Sequence, residues 1–402
     1  MRITFKNTAI FSFTLYVISL FIFVFRENTL IYSQLLFLFF AGTTIIYILS
    51  EKRIRLSYFF VLVLPLILFS CISVFWSLSM PIAFSMALTL IQVFILGFLT
   101  YNLFHGKEIS LFPIILVIAG GALFLYSVIT YGAKNMIDSI FSGKRLGGII
   151  SQENEYGGQA VIASTAAMYL IFFEKKRLYL LVLPFFLLMV FGSGSKIAII
   201  SIGLAFVLTY FFKYKIKLKS MALLVIVILI LVIGLQLSPL KVTLDRLVLM
   251  FDFFSGKDVK DNSTQIRLAL IKNGFAYFLE RPFFGYGANN YRVVSLQAIG
   301  LGEYAHNNYI ELLVNGGIIA FLLYYFNFFL LIVSGNKKNR MTIFTSIIFV
   351  VLLFMDISRV SYYSKIVYIL LAIGYASISF YKTQNDQKKF PNLGDVSFRE
   401  MK

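Results

Sequence analysis

Hydrophobic runs, separated by short polar segments, follow one another along almost the whole chain. A run of about 18 or more apolar residues is long enough to cross a membrane as a helix. We place such runs at 8–25, 30–50, 57–75, 82–104, 111–131, 156–173, 178–192, 196–212, 220–237, 307–333, 341–357 and 363–381. This pattern predicts an all-α polytopic membrane protein in which residues 1–381 form a single transmembrane domain of about twelve helices. The first run is full length and lacks a cleavage site, so we expect no cleavable signal peptide.

The charge of the polar connections indicates how the helices are oriented. With the N-terminus inside, four short segments rich in Lys and Arg face the cytoplasm, namely 51–55, 174–177, 213–219 and 335–340. The tail over 382–402 falls on the same side. Basic residues concentrate in the cytoplasmic loops of membrane proteins. We therefore expect a multi-pass protein with both termini in the cytoplasm.

One connection is much longer than the others. Residues 238–305 are predicted to form an extracytoplasmic loop, which is rich in Lys and Arg although it lies on the outer face. Long loops cross the membrane largely regardless of their charge, and these cations can also bind an anion. Within the loop, apolar residues over 263–279 recur with helical spacing, and Pro282 ends the run. The spacing predicts an amphipathic helix that lies across the membrane face.

The composition agrees with a membrane protein. Hydrophobic residues make up 59% of the chain and charged residues 13%, which is too little charge to cover a soluble protein of this size. The formal net charge of +18 would suggest a nucleic-acid partner in a soluble protein. Here topology and anionic lipid account for the basic residues, so we expect membrane lipids, and no nucleic acid, as partners.

His306 is one of the two histidines in the chain and directly precedes a predicted helix. The partial positive charge of a helix N-terminus disfavours a protonated imidazole, so we expect His306 to be neutral and able to accept a proton. Asn307, Glu311 and Asn315 follow at intervals of four residues and form one polar stripe. Such a stripe faces a bundle interior or a watery cavity. The alternative is that His306 caps the helix and the stripe joins neighbouring helices.

Cations also lie at the start of two other predicted helices. Gly192–Lys196 reads GSGSK, in which backbone N–H groups at a helix N-terminus and an ammonium group suit a phosphate or diphosphate. Arg145 and Asn154 belong to the segment RLGGIISQEN, where Arg145 is a second anion-binding candidate and Asn154 a polar anchor. The alternative for Lys196 is a side chain that extends from a helix end to water.

Three arginines surround the predicted loop helix and the Gly-rich turn after it, namely Arg267, Arg281 and Arg292. A guanidinium group binds a diphosphate with two parallel hydrogen bonds, which lysine cannot imitate. We prefer Arg267 as the diphosphate ligand because it lies on a structured element. Arg281 stands beside Pro282, where we expect a structural or solvated role.

The sequence carries no metal-binding motif: it has no Cys/His cluster, no HExxH and no DxD. Glu153 and Glu155 are the nearest approach to paired carboxylates, and their place in a predicted loop suggests that both are solvated. Asp356 and Arg359 are spaced for a local ion pair. We therefore expect chemistry without a metal or cofactor, built from a positive clamp for a lipid diphosphate and one neutral base.

Four blocks together resemble the O-antigen ligase and polymerase superfamily. They are RLGGIISQEN (145–154), GSGSKIAII (192–200), STQIRLALIKNGFAYFLERPFFGYGANNY (263–291) and AHNNYIELLVNGGIIAFLLYY (305–325). Members of this superfamily are glycosyltransferases of the bacterial cytoplasmic (inner) membrane that act on undecaprenyl-diphosphate-linked glycans. The resemblance implies that His306 lies at the catalytic centre and that Arg267 contacts the diphosphate. Lys196 stands where the family often has arginine, which keeps the charge but loses the bidentate fork.

The resemblance implies a metal-independent, inverting glycosyltransferase that polymerises lipid-linked repeat units of an O-antigen or capsule, because AHNNYIELL looks more like the polymerase members. A chain-length regulator is a candidate partner. The alternatives within the family are an O-antigen ligase, which transfers glycan to lipid A–core, and a protein-glycosylating relative. Outside it, a lipid-linked-oligosaccharide flippase and a structural subunit of a glycan-assembly complex stay open. Transporters usually show internal repeats and broken helices near the midplane, neither of which we find in the sequence.

Overall fold

The computed structural model describes residues 4–23, 27–56, 58–142, 144–214, 262–300, 302–336 and 339–389. These residues form fourteen α-helices and no strand. The helices are α1 (Phe5–Ile22), α2 (Glu27–Glu51), α3 (Tyr58–Ile72), α4 (Met80–Leu103), α5 (Phe112–Tyr131), α6 (Ala133–Ser142), α7 (Glu153–Phe172), α8 (Leu183–Gly192), α9 (Lys196–Tyr214), α10 (Asn262–Glu280), α11 (Tyr291–Ile299), α12 (Asn308–Val333), α13 (Arg340–Met355) and α14 (Lys365–Lys389).

Eight segments in the described part of the chain are long and apolar enough to cross a membrane. They fall on α1 to α5, α9, α12 and the first part of α14. Three further predicted spans correspond to α7, to α8 with the short 3-10 helix Arg177–Leu181 before it, and to α13. The remaining predicted span, 220–237, lies outside the described residues. The fold is an all-α polytopic membrane fold, as the hydrophobic pattern predicts.

Helix α7 lies in the middle of the helix bundle. Every residue from Tyr156 to Leu170 is buried, and the helix packs against α5, α8, α9 and α13. Its small residues allow a close approach, since a Cβ atom on Gly120 of α5 would overlap the Cβ of Ala163. Small residues are typical of helix contacts in membranes, where packing drives association. Because α7 contacts protein on all sides, it can be less apolar than the helices that face lipid.

The connections between helices collect at two ends of the bundle. One end, here called the basic end, contains the start of α1 and the connections 52–56, 104–111, 173–176 and 334–336. Its parts contact one another: Lys6 pairs with Glu108 at 2.7 Å, and Arg340 approaches Glu174 at 3.5 Å. Apart from 104–111, these are connections that the charge pattern predicts on the same side of the membrane.

The opposite end, here called the site end, contains the segments 73–79, 132–142, 144–152, 193–195, 281–300, 302–307 and 356–364. Hydrogen bonds join segments that are far apart in sequence. Trp76 Nε1 donates to the carbonyl of Phe284 at 3.2 Å, and Asn307 Nδ2 donates to the carbonyl of Ile357 at 3.1 Å. The spans among the described residues thus run between the two ends in the alternation that the charge pattern predicts.

Helix α12 is broken at Gly317, whose backbone (φ 62°, ψ −163°) is not helical. The carbonyls of Val314 and Asn315 instead accept the N–H groups of Tyr286 at 2.9 Å and Gly287 at 2.8 Å. A backbone group without a partner is costly in a membrane, and a broken helix is tolerated where other groups replace the lost bonds. The expectation that the chain has no broken helix is therefore wrong.

The turn that replaces those bonds packs directly onto the break. The N–H of Ile318 donates to the carbonyl of Pro282 at 2.8 Å. Gly317 and Gly285 both have a φ of 62°, and a Cβ atom on either would overlap backbone of the other segment, at Phe283 or Val314 respectively. Two glycines are therefore required where the Gly-rich turn meets α12.

The helix predicted over 263–279 is observed as α10, which ends at Glu280, shortly before Pro282, and its position across the membrane face stays a prediction. It packs against α11 and α12, and Tyr291 OH donates to the carbonyl of Leu270 at 2.6 Å. The rest of the predicted loop, 238–261, lies outside the described residues. Helices α6 and α11 were not predicted, because each is too short to show a clear apolar period.

Replacing Gly317 with Ala should destabilise the protein. The left-handed backbone costs a non-glycine residue about 1–3 kcal/mol, and the added methyl group has no room beside Phe283. The thermal unfolding midpoint in detergent should fall. Gly121→Ala in α5 is the matched control, because a Cβ atom there meets nothing within 4 Å. Equal midpoints for the two variants would contradict the packing described.

Candidate active site

The segment that leads into α12 reverses at His306. The backbone of His306 has a φ of 50°, a left-handed conformation that is uncommon for residues other than glycine. The reversal brings the imidazole against the ring of Tyr304, with 4.0 Å between the ring centres. Such strained residues persist only where their surroundings hold them, and they cluster at functional sites. The contacts on both sides of His306 therefore decide whether it keeps this position.

The polar stripe on α12 supplies those contacts. Glu311 is fully buried, and its Oε2 accepts the N–H of Ala305 at 2.7 Å. Its Oε1 accepts a bond from Asn315 Nδ2 at 3.2 Å, and Asn315 Oδ1 accepts the N–H of Tyr291 at 2.7 Å. The stripe therefore joins α11, α12 and the segment that carries His306. This agrees with the alternative stated for the sequence, in which the stripe joins neighbouring helices.

Two asparagines anchor the start of α12. Asn307 is the N-cap, because its Oδ1 accepts an N–H of the first helical turn at 3.1 Å. Asn308 is fully buried, and its Oδ1 accepts the N–H groups of Ser361 at 2.8 Å and Tyr362 at 3.0 Å. We did not single out Asn308 from the sequence, although it is the second asparagine of the HNN triplet. Together the two side chains fix the start of α12 against the connection between α13 and α14.

Two arginines on different helices interact electrostatically with the Tyr304–His306 pair. Arg267 lies near the start of α10, and Arg292 lies on the first turn of α11, where its guanidinium stands 5.7 Å from the centre of the Tyr304 ring. Neither guanidinium forms an ion pair with a carboxylate in the described part of the chain. No spacing in the sequence indicates that Arg292 meets Tyr304, because the two approach only through the turn after α11.

The surroundings of His306 lower the pKa of its imidazole to about 4. Burial is the largest cause, because it disfavours the charged form, and the charges of Arg267 and Arg292 act in the same direction. The imidazole is therefore neutral near pH 7, as predicted. The predicted reason was the helix N-terminus, whereas burial and the two arginines account for the shift.

Arg145 and Asn154 meet the GSGSK turn. Arg145 Nε donates to the carbonyl of Ser193 at 3.0 Å, and its Nη2 donates to Asn154 Oδ1 at 3.1 Å. A looser ion pair of 3.9 Å joins Arg145 to Glu153. Three of the predicted site residues are thus brought together, since Lys196 begins α9 directly after this turn.

The two groups of predicted residues are joined by one hydrogen bond. Tyr304 OH donates to Oε1 of Gln152 at 2.9 Å, and Gln152 stands at the start of α7 beside Glu153 and Asn154. All the predicted site residues therefore lie at the site end of the bundle. Among the described residues, no hydrogen bond or ion pair links Lys196 directly to His306.

A chain of buried charges lies next to these groups. Arg359 is only 5% exposed and stands 3.7 Å from both Glu155 and Asp356. The local pair of Asp356 and Arg359 is thus confirmed, but it is buried and extended by a third member. The expectation that Glu155 is solvated is wrong, because Glu155 lies on α7 and its side chain is 20% exposed. This chain fixes α7 to the connection between α13 and α14.

Comparison with known proteins supports the resemblance stated for the sequence. Residues 180–325 match the family model described as O-Antigen ligase. The matched region runs from the 3-10 helix before α8 into α12, so it contains Lys196, Arg267 and His306, whereas Arg145 and Asn154 precede it. No curated protein matched the chain. The match confirms the resemblance to the O-antigen ligase and polymerase superfamily.

Replacing Glu311 with Ala should loosen the segment that carries His306. The buried N–H of Ala305 would lose its acceptor, and an unsatisfied buried donor costs about 1–3 kcal/mol. Backbone hydrogen exchange over residues 304–308 should rise about tenfold or more, as measured by mass spectrometry. Glu303→Ala is the matched control, because Glu303 is exposed. Unchanged exchange in Glu311→Ala would show that the carboxylate does not hold this segment.

Proposed function

We propose that the protein is a membrane glycosyltransferase that polymerises undecaprenyl-diphosphate-linked repeat units of an O-antigen or capsule. One observation carries the proposal: a neutral, half-buried imidazole at His306 lies within the electrostatic influence of two guanidinium groups, Arg267 and Arg292. Arg292 is 5.7 Å from the ring of Tyr304, which packs on the imidazole, and all these residues lie within the region similar to the O-Antigen ligase family. A base beside an anion-binding pair is the arrangement that transfer from a sugar diphosphate requires. The matched region supports glycosyl transfer in general, and the choice of polymerisation rests on the polymerase-like block AHNNYIELL.

The charges at the site end favour an anionic ligand. Two carboxylates near His306 already have partners, since Glu311 accepts the N–H of Ala305 and Glu155 pairs with Arg359. The guanidinium of Arg267 forms no ion pair with a carboxylate of the described residues, so its N–H donors can serve a ligand. A diphosphate matches this fork with two parallel, charge-assisted hydrogen bonds. In this proposal Lys196 and Arg145 add positive charge on the other side of Tyr304.

The proposed reaction joins two lipid-linked glycans. The hydroxyl oxygen of the acceptor attacks the anomeric carbon of the donor, while the bond from that carbon to the diphosphate oxygen breaks. His306 takes the hydroxyl proton, and the lipid diphosphate leaves with the electron pair. Arg267 stabilises the charge that develops on the leaving group. In-line displacement inverts the anomeric carbon, and because the guanidinium supplies the charge, the reaction needs no metal.

The membrane fold suits a donor of this kind. The isoprenoid tail stays in the bilayer between or beside the helices, and its diphosphate reaches the site end. In this proposal the site end faces the extracytoplasmic side of the inner membrane, and both termini lie in the cytoplasm, as the basic connections at the other end suggest.

An O-antigen ligase is the second candidate, because the matched family is described by that name. A ligase would use the same base and the same cationic groups and would differ only in its acceptor, which is lipid A–core. A flippase is a third possibility, since the break of α12 at Gly317 is of the kind found in transporters. A polymerase, a ligase and a flippase act on the donor in different ways, so one assay separates the three functions.

The first test uses purified protein reconstituted in sealed liposomes with lipid-linked repeat units. His306→Ala should slow polymer formation about 10²- to 10⁴-fold, the usual contribution of a positioned base. His105→Ala is the matched control, because the other histidine lies at the basic end. Arg267→Lys should also slow the reaction, since lysine keeps the charge but not the fork.

The products decide between the candidate functions. Polymer supports the proposal, glycan joined to added lipid A–core supports a ligase, and movement of the donor across the membrane without a new bond supports a flippase. Polymer formation at the normal rate by a folded His306→Ala protein would rule out the histidine as the base.

The second test is the pH dependence of kcat/KM, which reports on the free enzyme. Because the pKa of His306 is lowered from 6.5 to about 4, the imidazole stays neutral as the pH falls from 7 to 5. Protonation of His306 should therefore not reduce kcat/KM in this range. A loss of activity centred near pH 6.5 that disappears in a His306 variant would contradict the burial described.

A further inference from the structure

We propose that Arg292 is a second ligand of the anionic leaving group and holds the diphosphate opposite Arg267 across the Tyr304–His306 pair. The proposal rests on the function proposed above and adds a binding residue that we did not assign from the sequence. It also implies that the bound diphosphate itself makes His306 a better base.

Arg292 is placed by a rigid element rather than by a loose loop. It lies on the first turn of α11, next to Tyr291, whose N–H donates to Asn315 Oδ1 at 2.7 Å. Further along α11, Ser295 Oγ donates to the carbonyl of Glu303 at 2.7 Å. Because α11 is bonded both to α12 and to the segment that carries Tyr304, the backbone of Arg292 has a fixed position relative to that segment, and its guanidinium lies 5.7 Å from the centre of the Tyr304 ring.

The surroundings leave Arg292 suited to a ligand. Its side chain is exposed, and it forms no hydrogen bond or ion pair with the described residues. The Tyr304 ring lies 5.7 Å from the guanidinium and can stabilise it by a cation–π contact. Such a contact uses the face of the guanidinium and leaves its N–H edge for phosphate oxygens. A diphosphate has two phosphate groups, so each arginine can bind one.

The charges around His306 link the binding of a diphosphate to the basicity of the imidazole. The titratable groups around the Tyr304–His306 pair are Glu155 on α7, Arg267 on α10, Arg292 on α11, Glu303 on the same segment and Glu311 on α12. Of these, the two arginines lower the proton affinity of the imidazole. A bound diphosphate cancels their charge, so the pKa of His306 should rise towards its ordinary value.

This coupling suits the proposed reaction. The imidazole accepts the acceptor's proton most readily while the diphosphate is bound. When the lipid diphosphate departs, the positive charges act on His306 again and release the proton to water. No other reactant is required for the cycle, and a proton is taken up only in a complex that contains the donor.

The test exploits the presence of just two histidines in the chain. In a His105→Gln background, labelled histidine gives a single resonance, and its pH titration follows His306 alone. Inorganic pyrophosphate serves as the probe, with farnesyl diphosphate as the lipid arm, and each dissociation constant is read from the same spectra. The variants are Arg267→Gln, Arg292→Gln, Arg292→Lys and, as a matched control, Arg281→Gln, since Arg281 stacks on Tyr286 instead.

We expect pyrophosphate to raise the titration midpoint of His306 by about one unit or more. Arg292→Gln should raise the midpoint of the free protein and weaken pyrophosphate binding roughly 10- to 100-fold, the worth of a charge-assisted hydrogen bond. Arg292→Lys should keep the low midpoint, because the charge remains, but should still weaken binding. Arg281→Gln should change neither quantity.

The outcomes separate this proposal from the function on which it rests. If Arg267→Gln weakens binding and Arg292→Gln does not, Arg292 is not a ligand, while the proposed function stands. If neither variant weakens binding of either probe, both proposals fail. If farnesyl diphosphate binds but pyrophosphate does not, the ligand is a lipid headgroup and the Arg292 variants decide with that probe. Should Arg292→Gln not fold, Arg292→Lys with normal affinity overturns the proposal.

Discussion

The hydrogen bonds between the broken helix α12 and the turn over 282–287 hold the site end together. A helix in a membrane can break only if other groups replace its lost bonds, because unpaired backbone groups in lipid cost several kcal/mol each. Here the turn after α10 supplies them, so α10, α11 and the start of α12 form one unit. This unit carries Arg267, Arg292 and His306, one on or beside each of three helices.

Much of this arrangement can be predicted from the sequence, but only where the pattern is carried by residues that are close together in the chain. Apolar length predicts the spans, basic connections predict which loops share an end, and Pro282 predicts where α10 stops. The break at Gly317 was not predicted, since nothing near it in sequence shows which segment replaces its bonds. Arg292 was left without a role for the same reason, because its contact with Tyr304 depends on the turn between them.

The carboxylates near His306 explain why the site end keeps a positive field. Glu311 is bonded to the backbone of Ala305, and Arg359 holds Glu155 and Asp356 together. These acids are bonded to other groups, and among the described residues none of them forms an ion pair with Arg267 or Arg292. Arginines without carboxylate partners, next to a neutral base, are consistent with a ligand that supplies the missing negative charge.

The hydrogen bonds of Arg145 give this residue a different role from Arg267 and Arg292. Arg145 donates from Nε and Nη2 to Ser193 and Asn154, and these bonds fix the turn that precedes α9. Arg145 therefore has fewer N–H donors left for a diphosphate than Arg267 or Arg292 has. We therefore interpret Arg145 as the residue that holds the GSGSK turn in place, whereas Tyr304 connects the imidazole to Gln152 at the start of α7.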